Sequence, residues 1–251
     1  MRYARNGRNA AYGLGYLLLA ALGAGLLGYT GDRSLGLLLG LLLVVLAAAG
    51  LVLVGFDAWH VRHRPGVTLA TAPSGAPATA FLRSPVPTTM SAVVPVLLAL
   101  WATVGSLVVH QVAARVVLLL VALGLLTPLV AVLRGRVAPG GLYLTPGGIE
   151  QRKEAVSWSV PWSAVAGVVP GEPLALPLTG PSPEPTRRTR VLWQREPRGR
   201  PGVLAVDSRY LAADPVVVAA VVGRCVADPA ARARMGTADV VEEIATMASR
   251  A

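Results

Sequence analysis

The sequence predicts an α+β membrane protein: four transmembrane helices, arranged as two helical hairpins, followed by a small β-barrel or sandwich capped by a C-terminal helix. Three observations predict it. Of the 251 residues, 54% are hydrophobic and only 14% are charged, with a mean hydropathy of +0.59, where ordinary soluble domains carry roughly 25% charged residues. Four uncharged apolar runs, each close to the length that crosses roughly 30 Å of hydrocarbon, are confined to residues 13–133. Residues 156–162 alternate Val156, Trp158, Val160 and Trp162 with Ser157, Ser159 and Pro161, the two-residue period of a strand with one buried face.

The membrane domain is expected over residues 1–136. Arg2, Arg5 and Arg8 precede the first run, 13–29, and the loop to the second run, 35–56, is so short that the two helices must be antiparallel. A basic start followed by an apolar run is also the pattern of a signal peptide. A second, longer run follows at once and no clear small-x-small cleavage site precedes a soluble segment, which favours a span. Residues 57–92 interrupt the apolar composition with Arg62, Arg64, Arg83 and several prolines, and read as a cytoplasmic loop holding two short strand candidates. Two further runs, 93–109 and 116–133, form the second hairpin.

Charge gives this arrangement a direction. The first 136 residues hold ten Arg against Asp32 and Asp57. Eight of these Arg (2, 5, 8, 62, 64, 83, 134 and 136) flank one side of the spans, and only Arg33 and Arg115 flank the other. The positive-inside rule then places both termini in the cytoplasm of a multi-pass protein of the cell membrane. Arginines lying beside apolar spans match insertion topology and anionic headgroups and do not form the clustered soluble face that nucleic acid requires. The predicted partners are membrane lipids and an unidentified protein, with no nucleic acid, and a homo-oligomer is compatible with the small residues in the spans. Gly36 and Gly40 form a GxxxG pair that permits close helix packing within the bundle or between copies.

The soluble domain is expected over 137–235, with 236–251 as a C-terminal tail able to form a short amphipathic helix through Val240, Val241, Ile244 and Met247. Leu142–Leu144 reads as a strand, Thr145-Pro146-Gly147-Gly148 as a tight reversal, and 156–162 as the next strand. The proline-dense segment 170–186 reads as a long exposed loop. Strands follow at 191–194 and 202–207. Asp214-Pro215 then starts a helix, the carboxylate capping free N–H groups and the proline fitting the first turn. Val217, Val218, Val221, Val222 and Cys225 share one face of that helix.

The stretches LYLTPGGIEQRKEAVSWSVPWSAVAGV at 142–168 and VLAVDSRYLAADPVVVAAVVGRCVADPAAR at 203–232 resemble the bacterial pleckstrin-homology-like (PH-like) domains that actinobacterial proteins carry beside transmembrane segments. The resemblance is carried by Leu144, Gly148, Trp158, Trp162, Asp214 and Pro215, and it implies a barrel or sandwich closed by one helix. Phosphoinositide-binding PH domains use basic residues in the loop after the first strand. Here that loop, Thr145 to Gly148, holds no cation, so the resemblance implies the fold and not inositol-phosphate binding.

Candidate chemistry is sparse. Arg187, Arg188 and Arg190 are the candidate residues for an acidic partner or an anionic membrane surface. His60 and His63 form an HxxH pair without the third and fourth ligands that zinc needs, so no metal or cofactor is expected. Cys225 is a single thiol on an apolar helix face and reads as a small buried hydrophobe. No phosphate-binding glycine loop or nucleophile elbow occurs. The leading expectation is a non-enzymatic membrane protein whose PH-like domain mediates interaction. The alternatives are a transporter or channel component, for which Trp101, Thr103 and Pro128 would line a pore, and a lipid-modifying enzyme built around Asp57, His60 and His63.

Overall fold

A computed structural model describes residues 2–28, 33–63, 66–189 and 201–250. The chain divides into two units: Met1–Trp59 with Val86–Gly135, and His60–Pro85 with Arg136–Ala251.

The first unit is helical, as it must be if apolar backbone is to satisfy its own hydrogen bonds in lipid. Helix α1 spans Arg2–Gly28 and α2 Arg33–His63; α3 spans Val86–Val108, α4 Val112–Leu125 and α5 Thr127–Leu133. Among the described residues, three segments are long and apolar enough to cross a membrane: Leu39–Trp59, Val86–Leu107 and Val112–Leu133. The expected first span falls in α1, whose described apolar part, Ala11–Ala24, is shorter. The third begins several residues before its expected start because Pro87 lies in the first turn of α3, where no N–H is needed. Many large apolar side chains of these helices point outward, including Leu18, Val52, Leu107 and Leu123.

Small residues bring the helices together. A Cβ on Gly23 of α1 would lie 2.8 Å from the carbonyl oxygen of Gly40 of α2, and the Tyr16 ring occupies the space beside Gly50. Gly40 therefore serves packing within one chain; the surroundings of Gly36 lie outside the described residues. Helices α3 and α4 meet through Ala99, Ala102 and Ala122. Pro128 cannot donate to the Gly124 carbonyl, and the Thr127 hydroxyl donates to it instead, at 2.8 Å, where α4 gives way to α5.

The second unit is built on a six-stranded antiparallel sheet. Its strands are β1 (Thr68–Thr71), β2 (Pro77–Leu82), β3 (Ala138–Leu144), β4 (Gly148–Glu154), β5 (Val156–Pro161) and β7 (Thr186–Arg187), in that order across the sheet. A separate ribbon pairs β6 (Leu174–Pro177) with β8 (Val203–Val206). Helices α6 (Pro215–Ala227), α7 (Pro229–Ala233) and α8 (Ala238–Arg250) complete it. One core holds Phe81, Leu142, Leu144, Ile149, Val160, Trp162, Leu174 and Leu176 with Val218 and Val222 of α6 and Ile244 of α8.

Three expectations change here. Residues 57–92 are not a loop: α2 runs on to His63, β1 and β2 join the sheet, and α3 begins at Val86. Segment 170–186 contains β6, with Leu174 and Leu176 fully buried. Pro173 precedes that strand and Pro177 ends it, positions where a missing N–H breaks no central ladder. The amphipathic helix expected in 236–251 forms as α8, but it is no appended tail, because it buries Val240 and Ile244 in the common core. The expected strand at 191–194 lies outside the described residues.

The sheet is discontinuous in sequence but continuous in hydrogen bonding. Strand β2 pairs with β3 from Thr79↔Leu144 to Leu82↔Gly141, and the whole of α3, α4 and α5 is inserted between them. Both ends of that apolar hairpin are thus joined to neighbouring strands.

Candidate functional site

Of the six residues expected to mark a PH-like domain, Leu144, Gly148 and Trp162 meet at the β3–β4 turn, while Trp158 lies within β5 and Asp214 and Pro215 start α6. Alternation along β5 turns Val160 inward, and Trp162, next in phase, is 4% exposed. Its indole N–H donates to the Thr145 carbonyl at 2.9 Å. The Thr145 hydroxyl closes the turn, donating to the Gly148 carbonyl at 2.9 Å and accepting from the Gly148 N–H at 3.0 Å. Gly148 itself packs so closely on β5 that a side chain would collide with the Val160 carbonyl. Leu144 is fully buried and Trp158 packs partly against the same core. Asp214 caps α6 through the Val216 N–H at 2.8 Å, with Pro215 in the first turn. At the other end of α6, Arg232 donates to the Cys225 and Val226 carbonyls, and its guanidinium lies 5.9 Å from the Trp162 ring centroid. Leu144, Gly148 and Trp162 are buried and hold the scaffold, while Trp158, Asp214, Pro215 and Arg232 are half-buried.

A second cluster was not legible as such in the sequence. Arg83, counted above among the cations flanking the spans, is 8% exposed. Its guanidinium lies 3.8 Å from Glu154 and 3.6 Å from Asp207 and stacks 4.8 Å from the Tyr210 ring centroid. Its backbone N–H donates to Gly140 at 2.9 Å, and the next N–H, of Ser84, donates to Tyr210 at 2.7 Å. Arg83 thus ties β2 to β3, to the β4–β5 turn and to the segment before α6. Glu154 holds a left-handed φ of 54° in that turn, a conformation that favours glycine and costs a residue with a side chain about 1 kcal/mol or more.

The predicted basic cluster lies on the sheet edge, and the structure divides it. Thr186 pairs with Ser157 and Arg187 with Val156, while the Arg188 N–H donates to Ala155 at 2.8 Å and extends the ladder. Alternation therefore sends Arg187 and Arg188 to opposite faces. Both are exposed; Arg190 lies outside the described residues. A cation that sequence reading did not single out joins Arg188. Arg152 of β4 stands opposite Ser157, on the face that Thr186 and Arg188 share. Burial, followed by repulsion from Arg188, lowers the Arg152 pKa. Tyr143, on the same face, has its phenol pKa raised by burial, with Arg152 acting in the opposite direction.

Other titratable groups serve structure. The Glu150 carboxylate is 6% exposed and accepts from the Ser74 N–H at 2.9 Å and from the Ser74 hydroxyl, fastening the β1–β2 turn. Glu243 of α8 receives Arg224 and Arg234, and the Arg224 hydrogen bond holds its carboxyl below the usual range. Burial pushes the Cys225 thiol up to about 11, partly offset by Arg224 and Arg232.

No metal centre is formed by the described residues. No three His, Cys, Asp or Glu residues converge among them, and the side chains of His60 and His63 lie outside them. The cleft between α6, α7 and α8, lined by Val221, Met235, Val240 and Ile244, encloses about 20 Å³, enough for one water. In the apolar helices, Thr103 donates to Ala99 at 2.8 Å and Ser106 to Thr103 at 2.7 Å, so these hydroxyls are engaged on their own helix. No protein family, curated protein or solved structure matches this chain.

Proposed function

We propose that this is a non-enzymatic, multi-pass protein of the cell membrane whose soluble unit is a PH-like interaction module facing the cytoplasm, with four spans and both termini on that side. The observation that carries the reading is the edge of the six-stranded sheet. Strand β7 is two residues long, borders solvent and presents Arg187 and Arg188 exposed, on a unit whose buried polar groups serve its own scaffold. The antiparallel meander, the second small ribbon and α6 with its buried face support the PH-like assignment. The inserted apolar hairpin, which leaves and re-enters one sheet, supports an even number of crossings between β2 and β3. An acidic protein partner or the anionic membrane surface is the complement that two exposed guanidinium groups recognise.

The test is purification of the full chain in lipid nanodiscs beside a variant with Arg187, Arg188 and Arg190 changed to Ala, identifying every co-purifying protein and lipid. A protein or anionic lipid retained by the wild type and lost by the variant supports the module. Identical sets from both samples overturn it. A reporter active only outside the cytoplasm, fused after Ala251, is expected to stay silent; activity overturns the orientation.

A further inference from the structure

We propose that Arg152 and Arg188, with the hydroxyls of Ser157 and Thr186 between them, form a binding site for a phosphate-type oxyanion on the outer face of the sheet. The inference rests on the reading that the β7 edge is an interaction surface, and it gives that surface a chemistry. The ladder sets the arrangement: Arg152 of β4 is opposite Ser157 of β5, and Ser157 is opposite Thr186 of β7. Directly paired residues share a face, and Arg188, two positions beyond Thr186, shares it too. Two guanidinium groups are therefore held in adjoining rows with two small hydroxyls between them.

The row is accessible. Thr186 and Arg188 are exposed, Arg152 and Ser157 half-buried. Two like charges this close repel each other, and the cost is lifted when a dianion sits between them. A phosphate presents three or four oxygens, enough to accept bidentately from one guanidinium while bonding a second group. Hydroxyls add donors that discriminate an oxyanion from chloride. The partial burial that lowers the Arg152 pKa also reduces the solvent screening its ligand must overcome. Arg187, in the row of Val156, belongs to the other face and is outside the site.

The test uses the full chain in nanodiscs of neutral phosphatidylcholine, read by amide hydrogen exchange. One arm adds inorganic phosphate against chloride at equal ionic strength; the other replaces part of the lipid with phosphatidylglycerol. Slowed exchange at residues 155–159 and 186–188 in either arm supports the site, and the arm that produces it identifies a soluble phosphate or a lipid headgroup as the source. Arg188→Gln, which alters an exposed side chain, is expected to weaken the phosphate effect about tenfold or more, the loss of charge-assisted hydrogen bonds. Arg152→Gln should do the same, and Arg187→Gln should leave the phosphate effect intact. No protection in either arm, or equal weakening by Arg187→Gln and Arg188→Gln, overturns the site in favour of a diffuse positive edge. If co-purification of an acidic protein nonetheless depends on Arg187, the interaction module stands without the phosphate site.

Discussion

Polar side chains do different work in the two units. In the apolar helices, Ser91, Thr103, Ser106 and Thr127 donate to carbonyls three or four residues back on their own turns. In the second unit, beside local bonds of the same kind such as Thr246 to Glu242, several span the sequence: Ser74 to Glu150, Trp162 to Thr145, Gly236 to Thr79, Ser208 to Gly171. The membrane helices use hydroxyls to complete local backbone and leave tertiary contact to Gly23, Gly40, Ala99, Ala102 and Ala122. The soluble unit uses polar groups to lock one element to another.

The sharpest way to break this contrast is Trp162→Ala. It removes a buried indole and leaves the Thr145 carbonyl without its side-chain donor, at an expected cost of about 3–5 kcal/mol. Circular dichroism of the full chain in nanodiscs should show the β signal melting far earlier while the helical signal of the first unit persists. Joint loss of both would show the units to be one cooperative body. Arg83→Ala comes next. It leaves Glu154 and Asp207 without this cation, and the expected loss is about 3 kcal/mol, the low end for a broken buried pair given separations of 3.6 and 3.8 Å. A loss below 1 kcal/mol by urea titration of the soluble unit would reduce Arg83 to an exposed-type pair.

In the first unit the matching probe is Gly23→Val, which forces bulk against the Gly40 carbonyl. Overpacking of this kind costs about 1–3 kcal/mol. Cross-linking between introduced cysteines on α1 and α2 should fall while the soluble unit melts unchanged. The smallest effect concerns Cys225, whose thiol lies at about 11 against an ordinary 9.0. The folded state holds that proton more tightly than the unfolded one. The resulting stabilisation is full below pH 9.0 and disappears as pH rises to about 11. The stability gap between wild type and Cys225→Ala should narrow over that window, and a gap independent of pH would contradict the burial of the thiol. At neutral pH, maleimide should label Cys225 only after denaturation.

Legibility in the sequence followed the range of the interactions. The strand at 156–162 was readable because one buried face imposes a period of two on consecutive residues. The cap at Asp214 and the inward face of α6 were readable for the same local reason. Strand β6 was hidden because Pro173 and Pro177 signal a loop, although both lie where a strand tolerates them. β1 and β2 were weak candidates because β3, the strand that joins their hairpin to the rest of the sheet through β2, lies beyond an entire apolar hairpin. Arg83 was counted with the cations of the membrane flank, since a count along the chain does not separate a buried ion pair from a headgroup contact. Arg152 and Arg188 were invisible as a pair because only cross-strand register brings them to one face. The GxxxG motif was legible as a packing element, and its Gly40 indeed approaches another helix, yet the partner position, Gly23, is not encoded in the motif.

The split sheet also bears on how the protein is made. Strand β2 is synthesised first and β3 only after the intervening 58 residues, 83–140, have followed it. Pairing Leu82 with Gly141 in free chain would carry the entropy loss of closing that long loop. Insertion of an antiparallel helical hairpin brings its two ends to one side of the bilayer and performs that closure beforehand. On the proposed topology the lipid acts as a template for the sheet: a chain whose hairpin fails to insert leaves β1–β2 and β3–β5 as separate fragments with unpaired edges, and disruption of an apolar helix should first be felt in the cell as aggregation of the second unit.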